Sequence, residues 1–503
     1  MPILAALDIG SNAMRLAIAT VDADRHITIQ DVLREPVRLG QDVFTTGVIT
    51  ERTIELACDA LLRFRQAIDG HGAKHVRVVA TSVMRDAVNR EIFLDRVQQA
   101  TGLEISIIGP EEEARLIHLA VKEKVDLHDR LAVLVDIGGG STEITLAADG
   151  EILSTASYRM GSVRLLHTLG DRTVDERQVQ QLIQEYVDAT QRRISREIGD
   201  RKIDLCIGTG GNLESLGDLW REVLGAERDT MVPAAELDQL VTKLTSLTYQ
   251  ERVQQLRLRP DRADVIVPAA LIIQRILRIC RANELLVPRV GLKDGLLLDI
   301  VEDLYGDRKH LRRDQVIASA VQVGRKYQFD EPHALTVARF AGQLFDRTKD
   351  LHRLGQEYRL FLEVAATLHD IGQFISATDH HKHTQYLLMA TPMIGLTRDQ
   401  VAIIANVARY HRKSLPKPQH DAYRALAPKE RVVVSKLAAL LRLADAMDTE
   451  HASKVHTIET EYKKPKFILS LRGDGDLLLE KWALAKKADM FEDVYGVKLV
   501  IGE

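Results

Sequence analysis

Two short segments of this chain end an apolar run in an aspartate, with a glycine two residues later. LDIGSNAMRLAIA (Leu7 to Ala19) lies on VDIGGGSTEITLA (Val135 to Ala147) at a constant offset of 128, so Asp8 matches Asp136, Gly10 matches Gly138 and Arg15 falls opposite Glu143. A third glycine turn, Gly208-Thr209-Gly210-Gly211, follows the run Ile203 to Ile207. Such turns let backbone N–H groups approach phosphate oxygens closely, because no Cβ intervenes. Gly10-Ser11-Asn12 and Gly138-Gly139-Gly140-Ser141-Thr142 are therefore candidate phosphate loops, with Thr209, Gly210 and Gly211 as the third. The carboxylates of Asp8 and Asp136 at two of the turns suit a hydrated Mg²⁺ shared with phosphate. An Asx turn in each hairpin is the structural alternative, and its duplication makes it the lesser one. The chain has no GxxxxGK[ST], so phosphates are not held as in a P-loop.

A second set lies in the last third. His333, His369-Asp370, His383, His411 and Asp445 follow the order H…HD…H…H…D, and ten histidines fall from His333 to His456. Imidazoles and carboxylates from several helices can converge in a bundle core on one or two divalent metals. Buried polar residues of a retained scaffold are the alternative. His380 and His381 beside the pattern read as surface residues.

The elements that must carry these groups can be read coarsely from periodicity. Ile3 to Ile9 is strand-like, and each duplicated segment reads as strand, tight turn, strand, with Asp149-Gly150 as a further hairpin signal. Helical spacing covers Thr53 to Ile68, Arg90 to Thr101, Glu111 to Lys124 and Asp175 to Ile198, with strands at Val76 to Ala80 and Ile105 to Gly109. From about Leu311 helical periodicity dominates, after an exposed linker at Lys309 to Arg313. A Pro-containing loop spans Leu415 to Pro428, and Phe467 to Leu471 and Asp476 to Leu479 suggest a small β-containing tail.

Five motifs, LDIGSNAMRL, ATSVMRDA, GPEEEARLIHLAV, VDIGGGSTEI and IGTGGNLESL, resemble in order and spacing the exopolyphosphatase / guanosine pentaphosphate phosphohydrolase (Ppx/GppA) family, of the actin–hexokinase–chaperone superfamily. The resemblance runs to about residue 300. It implies an α/β N-terminal half of two actin-like (ribonuclease H-like) lobes, 1–128 and 129–305. The remainder resembles HD-domain phosphohydrolases, implying an all-α HD-like domain at 306–455 and a small α+β tail at 456–503. Carried residue by residue, the resemblance makes Glu113 the general base on the attacking water. Asp136 and Glu143 then hold Mg²⁺ or polarise water, and Arg85 pairs with a phosphate. Arg15 is a further phosphate contact or an interlobe salt bridge to Glu143, and Ser141, Thr142, Thr209, Gly210 and Asn212 are substrate contacts. One segment departs from the family: Gly291-Leu292-Lys293-Asp294-Gly295-Leu296-Leu297 lacks the arginine that usually follows an acidic-glycine motif. Arg259, Arg262 and Lys293 could supply the positive charge instead.

The activity so implied is Mg²⁺-dependent release of orthophosphate from the end of inorganic polyphosphate. The alternative is conversion of guanosine pentaphosphate to tetraphosphate, since the motifs are shared. A kinase of the same superfamily needs no water-activating glutamate, and a non-catalytic alarmone sensor needs no turnover. The resemblance also implies a homodimer and, in the HD-like domain, a second divalent metal. The net charge of −4 argues against nucleic acid or acidic membranes as general partners. Three scattered cysteines without a CxxC, and no apolar run near ~20 residues, place the chain in the cytoplasm.

Overall fold

A computed structural model describes residues 1–169, 202–225, 230–305, 309–391 and 393–502, together with Gln178, Gln181, Leu182, Glu185, Tyr186 and Asp188. The helix read over Asp175 to Ile198 lies mostly outside the described residues. The chain divides into two compact units, Met1–Lys309 and His310–Glu503.

The first unit contains two sheets of one design. Strands β1 (Ile3–Ile9), β2 (Met14–Val21), β3 (Ile27–Glu35), β4 (His75–Ala80) and β5 (Ile105–Ile107) lie in the order β3-β2-β1-β4-β5. Strands β6 (Leu131–Ile137), β7 (Thr142–Ala148), β8 (Glu151–Tyr158), β9 (Leu205–Thr209), β10 (Met231–Pro233) and β11 (Glu284–Leu286) are ordered β10-β11-β9-β6-β7-β8. In each, a β-hairpin (β1–β2, β6–β7) is followed by a parallel neighbour, β4 or β9. The near-continuous apolar runs of β1 and β6 suit central strands covered on both faces. The hairpin turns are closed by equivalent bonds, Gly10 N to Ala13 O at 3.2 Å and Gly138 N to Ser141 O at 3.0 Å. Register sets Asp8 against Arg15 and Asp136 against Glu143.

Helices 110–124 and 292–305 lie between the sheets. Leu116, Ile117, Leu296 and Ile300 share one apolar cluster with Leu4, Ala6 and Val79 of the first sheet and Ala132, Leu134 and Ile207 of the second. The helices meet backbone to backbone, since a Cβ on Gly295 would collide with the Leu116 carbonyl. Beside that contact, Arg115 makes a two-pronged bond to Glu112 and reaches Asp299 at 2.7 Å.

The second unit is a helical bundle over 309–446 with a β-hairpin and helix appended. β12 (Val455–Lys463), β13 (Lys466–Gly473) and β14 (Lys498–Ile501) form one sheet in that order, with helix 478–495 preceding β14. The tail and the bundle share a single apolar core, in which Phe467, Leu469, Leu484 and Phe491 join Phe340, Leu362, Ile404 and Leu440. Two expectations are corrected, and one strand escaped the sequence reading. Lys309 to Arg313 opens the helix Lys309–Lys326 rather than forming a linker. Asp476 to Leu479 is no strand but leads into helix Leu478–Tyr495. β12 was missed because most of its side chains face solvent, leaving little apolar alternation.

Candidate active site

The two aspartate-tipped turns and the third glycine turn meet around one cleft of about 110 Å³. Asp8, Glu113 and Asp136 line it, with Gly10, Ser11, Asn12, Arg15, Gly138, Gly139, Ser141, Gly210 and Gly211. Glu113 stands in the first turn of helix 110–124, whose Pro110 start fits the missing N–H of that position. Arg85, from the short helix Ser82–Asp86, donates to Glu113 Oε2 at 3.1 Å and to the Ile108 carbonyl at 2.7 Å. It is thus held on Glu113, behind the cleft wall.

The carboxylates are electrostatically stressed. Burial raises Asp8 to about 6; Asp136 adds to the rise, and Arg15 and Lys293 oppose it. Asp136 rises to about 7, again from burial and then from Glu113, although the Thr209 hydroxyl donates to its Oδ1 at 2.9 Å. Glu113 and Glu143 are also raised, first by burial and then by neighbouring carboxylates, with Arg85 opposing. Glu143 lies behind the wall, where Oε1 accepts from Ser157 at 2.8 Å and the buried Oε2 has no hydrogen-bond partner. Desolvated, mutually repelling carboxylates and an orphaned oxygen are donor chemistry that suits a hard divalent cation, so Asp8 and Asp136 in the cleft, with Glu143 behind it, are the residues that could hold Mg²⁺.

Several predicted contacts fall elsewhere. The Thr142 hydroxyl is fully buried and donates to the Met160 carbonyl at 2.8 Å, so it does not face the cleft. Gly140 packs on Ser82 and Phe44, where a Cβ would collide, and Thr209 acts on Asp136 rather than lining the cavity. Asn212 lines the cleft while bonding the Ile137 carbonyl at 3.0 Å and Ser162 at 2.9 Å. Among the described residues Arg15 makes no ion pair with Glu143; its guanidinium lies over Gly211 beside that of Arg262. Arg262 is buried, bonded to Asn212, and pushed down to about 9 by burial and then by Arg15. Of the three cations considered, Arg262 and Lys293 line the cleft and Arg259 does not. Glu214 also lines it, unforeseen, one turn into the helix after the third glycine turn.

In the second unit, four imidazoles and two carboxylates converge. His333 Nε2 lies 3.3 Å from His369 Nε2, and His380 Nε2 lies 3.3 Å from His411 Nε2. Asp370 Oδ1 is 3.2 Å from His380, 3.4 Å from His411 and 3.8 Å from His369. Asp445 Oδ1 is 3.5 Å from His369 and 3.7 Å from His333. Each ring has an acceptor at Nδ1: Asp448 for His333 at 2.9 Å, and the carbonyls of Ala366, Ala377 and Ala408 for His369, His380 and His411 at 2.7, 3.1 and 2.6 Å. Those acceptors suit a proton on Nδ1 and turn the four Nε2 atoms toward each other and two carboxylates, a donor set that could hold a cation. His380 takes the place expected of His383, one turn earlier on helix His380–Ala390, because residues three apart share a helix face and spacing alone does not choose between them. His380 and His381 are both buried, contrary to their reading as surface residues. Asp448 and Lys487, which bond His333 and Asp445, carry no motif that would have found them.

The Ppx/GppA phosphatase family pattern matches residues 18–304, and that of Ppx/GppA phosphatase, domain III, matches 316–488. A guanosine-5'-triphosphate,3'-diphosphate pyrophosphatase of Vibrio parahaemolyticus is 27% identical over 443 residues, 88% of this chain and 87% of that protein. The crystal structure of an exopolyphosphatase from Cytophaga hutchinsonii is similar with a TM-score of 0.56 at 26% identity, over 60% of this chain and 98% of that one. For the Ppx/GppA family member of Aquifex aeolicus the TM-score is 0.50 at 27% identity, over 61% and 99%. With a duplicated α/β fold, a carboxylate-lined cleft and a family pattern covering more than half its length, this chain belongs to the Ppx/GppA phosphatase family.

Proposed function

We propose that this protein hydrolyses the terminal phosphoanhydride of guanosine-5'-triphosphate,3'-diphosphate, with inorganic polyphosphate as the second reading. The observation that carries hydrolysis is Glu113, a buried carboxylate held by Arg85 and lining the cleft with both aspartate-tipped turns. Its burial moves its affinity for protons toward neutrality, where a general base works best. Glu113 takes the proton of a water as that water's oxygen bonds the terminal phosphorus, and the bond to the bridging oxygen breaks. Backbone N–H groups of the Gly10 and Gly138 turns hold the phosphate oxygens, and Lys293 balances their charge. Mg²⁺ held by Asp8, Asp136 and Glu143 would supply further charge neutralisation and orient the phosphate.

Polyphosphate stood first on sequence grounds. The pentaphosphate moves ahead because the Vibrio parahaemolyticus relative that covers 88% of this chain carries that name, whereas the exopolyphosphatase structure covers 60%. The facing guanidiniums of Arg15 and Arg262 give a second anion subsite, which suits a substrate with two phosphate arms. Comparing kcat/KM for the two substrates with Mg²⁺ tests the choice: a ratio above one for polyphosphate reverses the order, and no phosphate from either rejects hydrolysis.

In the second unit we propose an HD-like metal centre, on the inward-facing Nε2 atoms and the carboxylates of Asp370 and Asp445. His333, His369, Asp370 and Asp445 would hold one divalent ion and Asp370, His380 and His411 a second, a donor set suited to Mn²⁺, Fe²⁺ or Zn²⁺. Metal analysis after mild chelation and reloading, with no uptake beyond that of an Asp370→Asn/Asp445→Asn variant, rejects this reading.

A further inference from the structure

One residue near the histidine cluster has no part in the readings above. Helix Leu478–Tyr495 turns one face inward, with Glu480, Ala483, Leu484, Ala488 and Phe491 among its buried residues. Lys487 falls on the same face, between Leu484 and Ala488. A lysine on a buried helix face leaves water at a cost unless its ammonium finds a partner. Here the partner is Asp445: Lys487 Nζ bonds Oδ2 of that carboxylate, and Oδ1 is the oxygen turned to His333 and His369. Among the described residues no other lysine or arginine bonds Asp445; Arg442, one turn away, donates to the Lys413 carbonyl at 3.4 Å and lies 3.7 Å from Asp489.

We infer that Lys487 is a resident counter-ion of the centre, so that divalent metal and the C-terminal helix compete for Asp445. This rests on the reading of the cluster as a metal centre. A divalent ion on Oδ1 would sit on the opposite side of one carboxylate from the ammonium. Across one carboxylate two like charges repel appreciably at the effective dielectric of a protein interior. Metal binding would therefore work against the Lys487 contact, which keeps Oδ2 engaged away from the imidazoles. The consequence is a route from metal occupancy to the packing of helix 478–495.

The test is calorimetric titration of Mn²⁺ alone into the chelator-stripped full chain, in wild type, Lys487→Met and Lys487→Arg. Asp445→Asn identifies the binding step that belongs to this centre. Lys487→Met keeps the apolar stem, and its Mn²⁺ affinity is expected to rise at least about tenfold, while Lys487→Arg stays near wild type. Hydrogen exchange of helix 478–495 should quicken on Mn²⁺ saturation in wild type and not change in Lys487→Met. Uptake by Lys487→Met alone also supports the inference. Equal affinities in wild type and Lys487→Met, or exchange in the wild-type helix indifferent to Mn²⁺, overturn it while leaving the metal centre standing. No Mn²⁺ uptake by any variant overturns the centre and the inference together.

Discussion

Replacing Glu113 with glutamine separates chemistry from folding. The amide keeps the shape and can still accept from Arg85 through its carbonyl, so the 3.1 Å contact has a replacement. It cannot take a proton. Loss of a general base costs about 10²- to 10⁴-fold in rate, or roughly 3–5 kcal/mol of barrier. Stability should move the other way. Burial dominates the raised proton affinity of Glu113, and its charge in turn raises Asp136 and Glu143. A carboxyl whose folded pKa lies above its unfolded value weakens the fold as it ionises with rising pH. Removing that charge at about pH 8 should thus leave the melting temperature unchanged or higher. The assay is phosphate release at saturating substrate beside thermal melting of the same preparation. A kcat within a few-fold of wild type refutes Glu113 as base. A large loss of kcat with a lower melting temperature refutes the argument that the position serves chemistry rather than packing.

Mg²⁺ should raise the melting temperature of the wild type and not that of Asp136→Asn, which should also lose turnover, checked by melting and phosphate release with and without Mg²⁺. Arg262→Met removes a buried guanidinium facing Arg15 and should raise KM for the pentaphosphate about tenfold or more with little change in kcat, read by steady-state kinetics. His118, buried in helix 110–124 with an unpartnered Nε2, is pushed from 6.5 to about 4 by burial and then by Lys122 and Arg115. Its folded pKa is depressed, so the stability it contributes is full above 6.5 and lost as pH falls toward 4, by about 3 kcal/mol in all. Melting temperatures at about pH 7.5 and about pH 5 should accordingly differ less in His118→Leu than in wild type. Gly295→Ala sets a methyl against the Leu116 carbonyl and should destabilise the first unit by about 1–3 kcal/mol or more, measured by urea unfolding.

The duplicated hairpins were legible because a tight turn after a buried strand is a local matter: Asp8, Gly10 and Gly138 announce it in neighbouring residues, and the structure pairs them in matching register. The same locality made helix 90–101 and strand β1 readable to their ends. Glu113 could be singled out from Glu111 and Glu112 only by family likeness, for three adjacent acids in a first turn all suit the helix N-terminus equally. Which of them enters the cleft depends on how helix 110–124 is rotated against helix 292–305, and that is set by Gly295 meeting Leu116 and Arg115 meeting Asp299, nearly two hundred residues away. His380 in place of His383, the inward turn of His381 and the approach of Lys487 to Asp445 share this origin. Residue type and spacing determine which groups a short element can offer, because bonding within a turn or a hairpin is near in sequence. Tertiary packing decides which of them face one another, because burial and charge pairing act between segments that the chain itself keeps far apart.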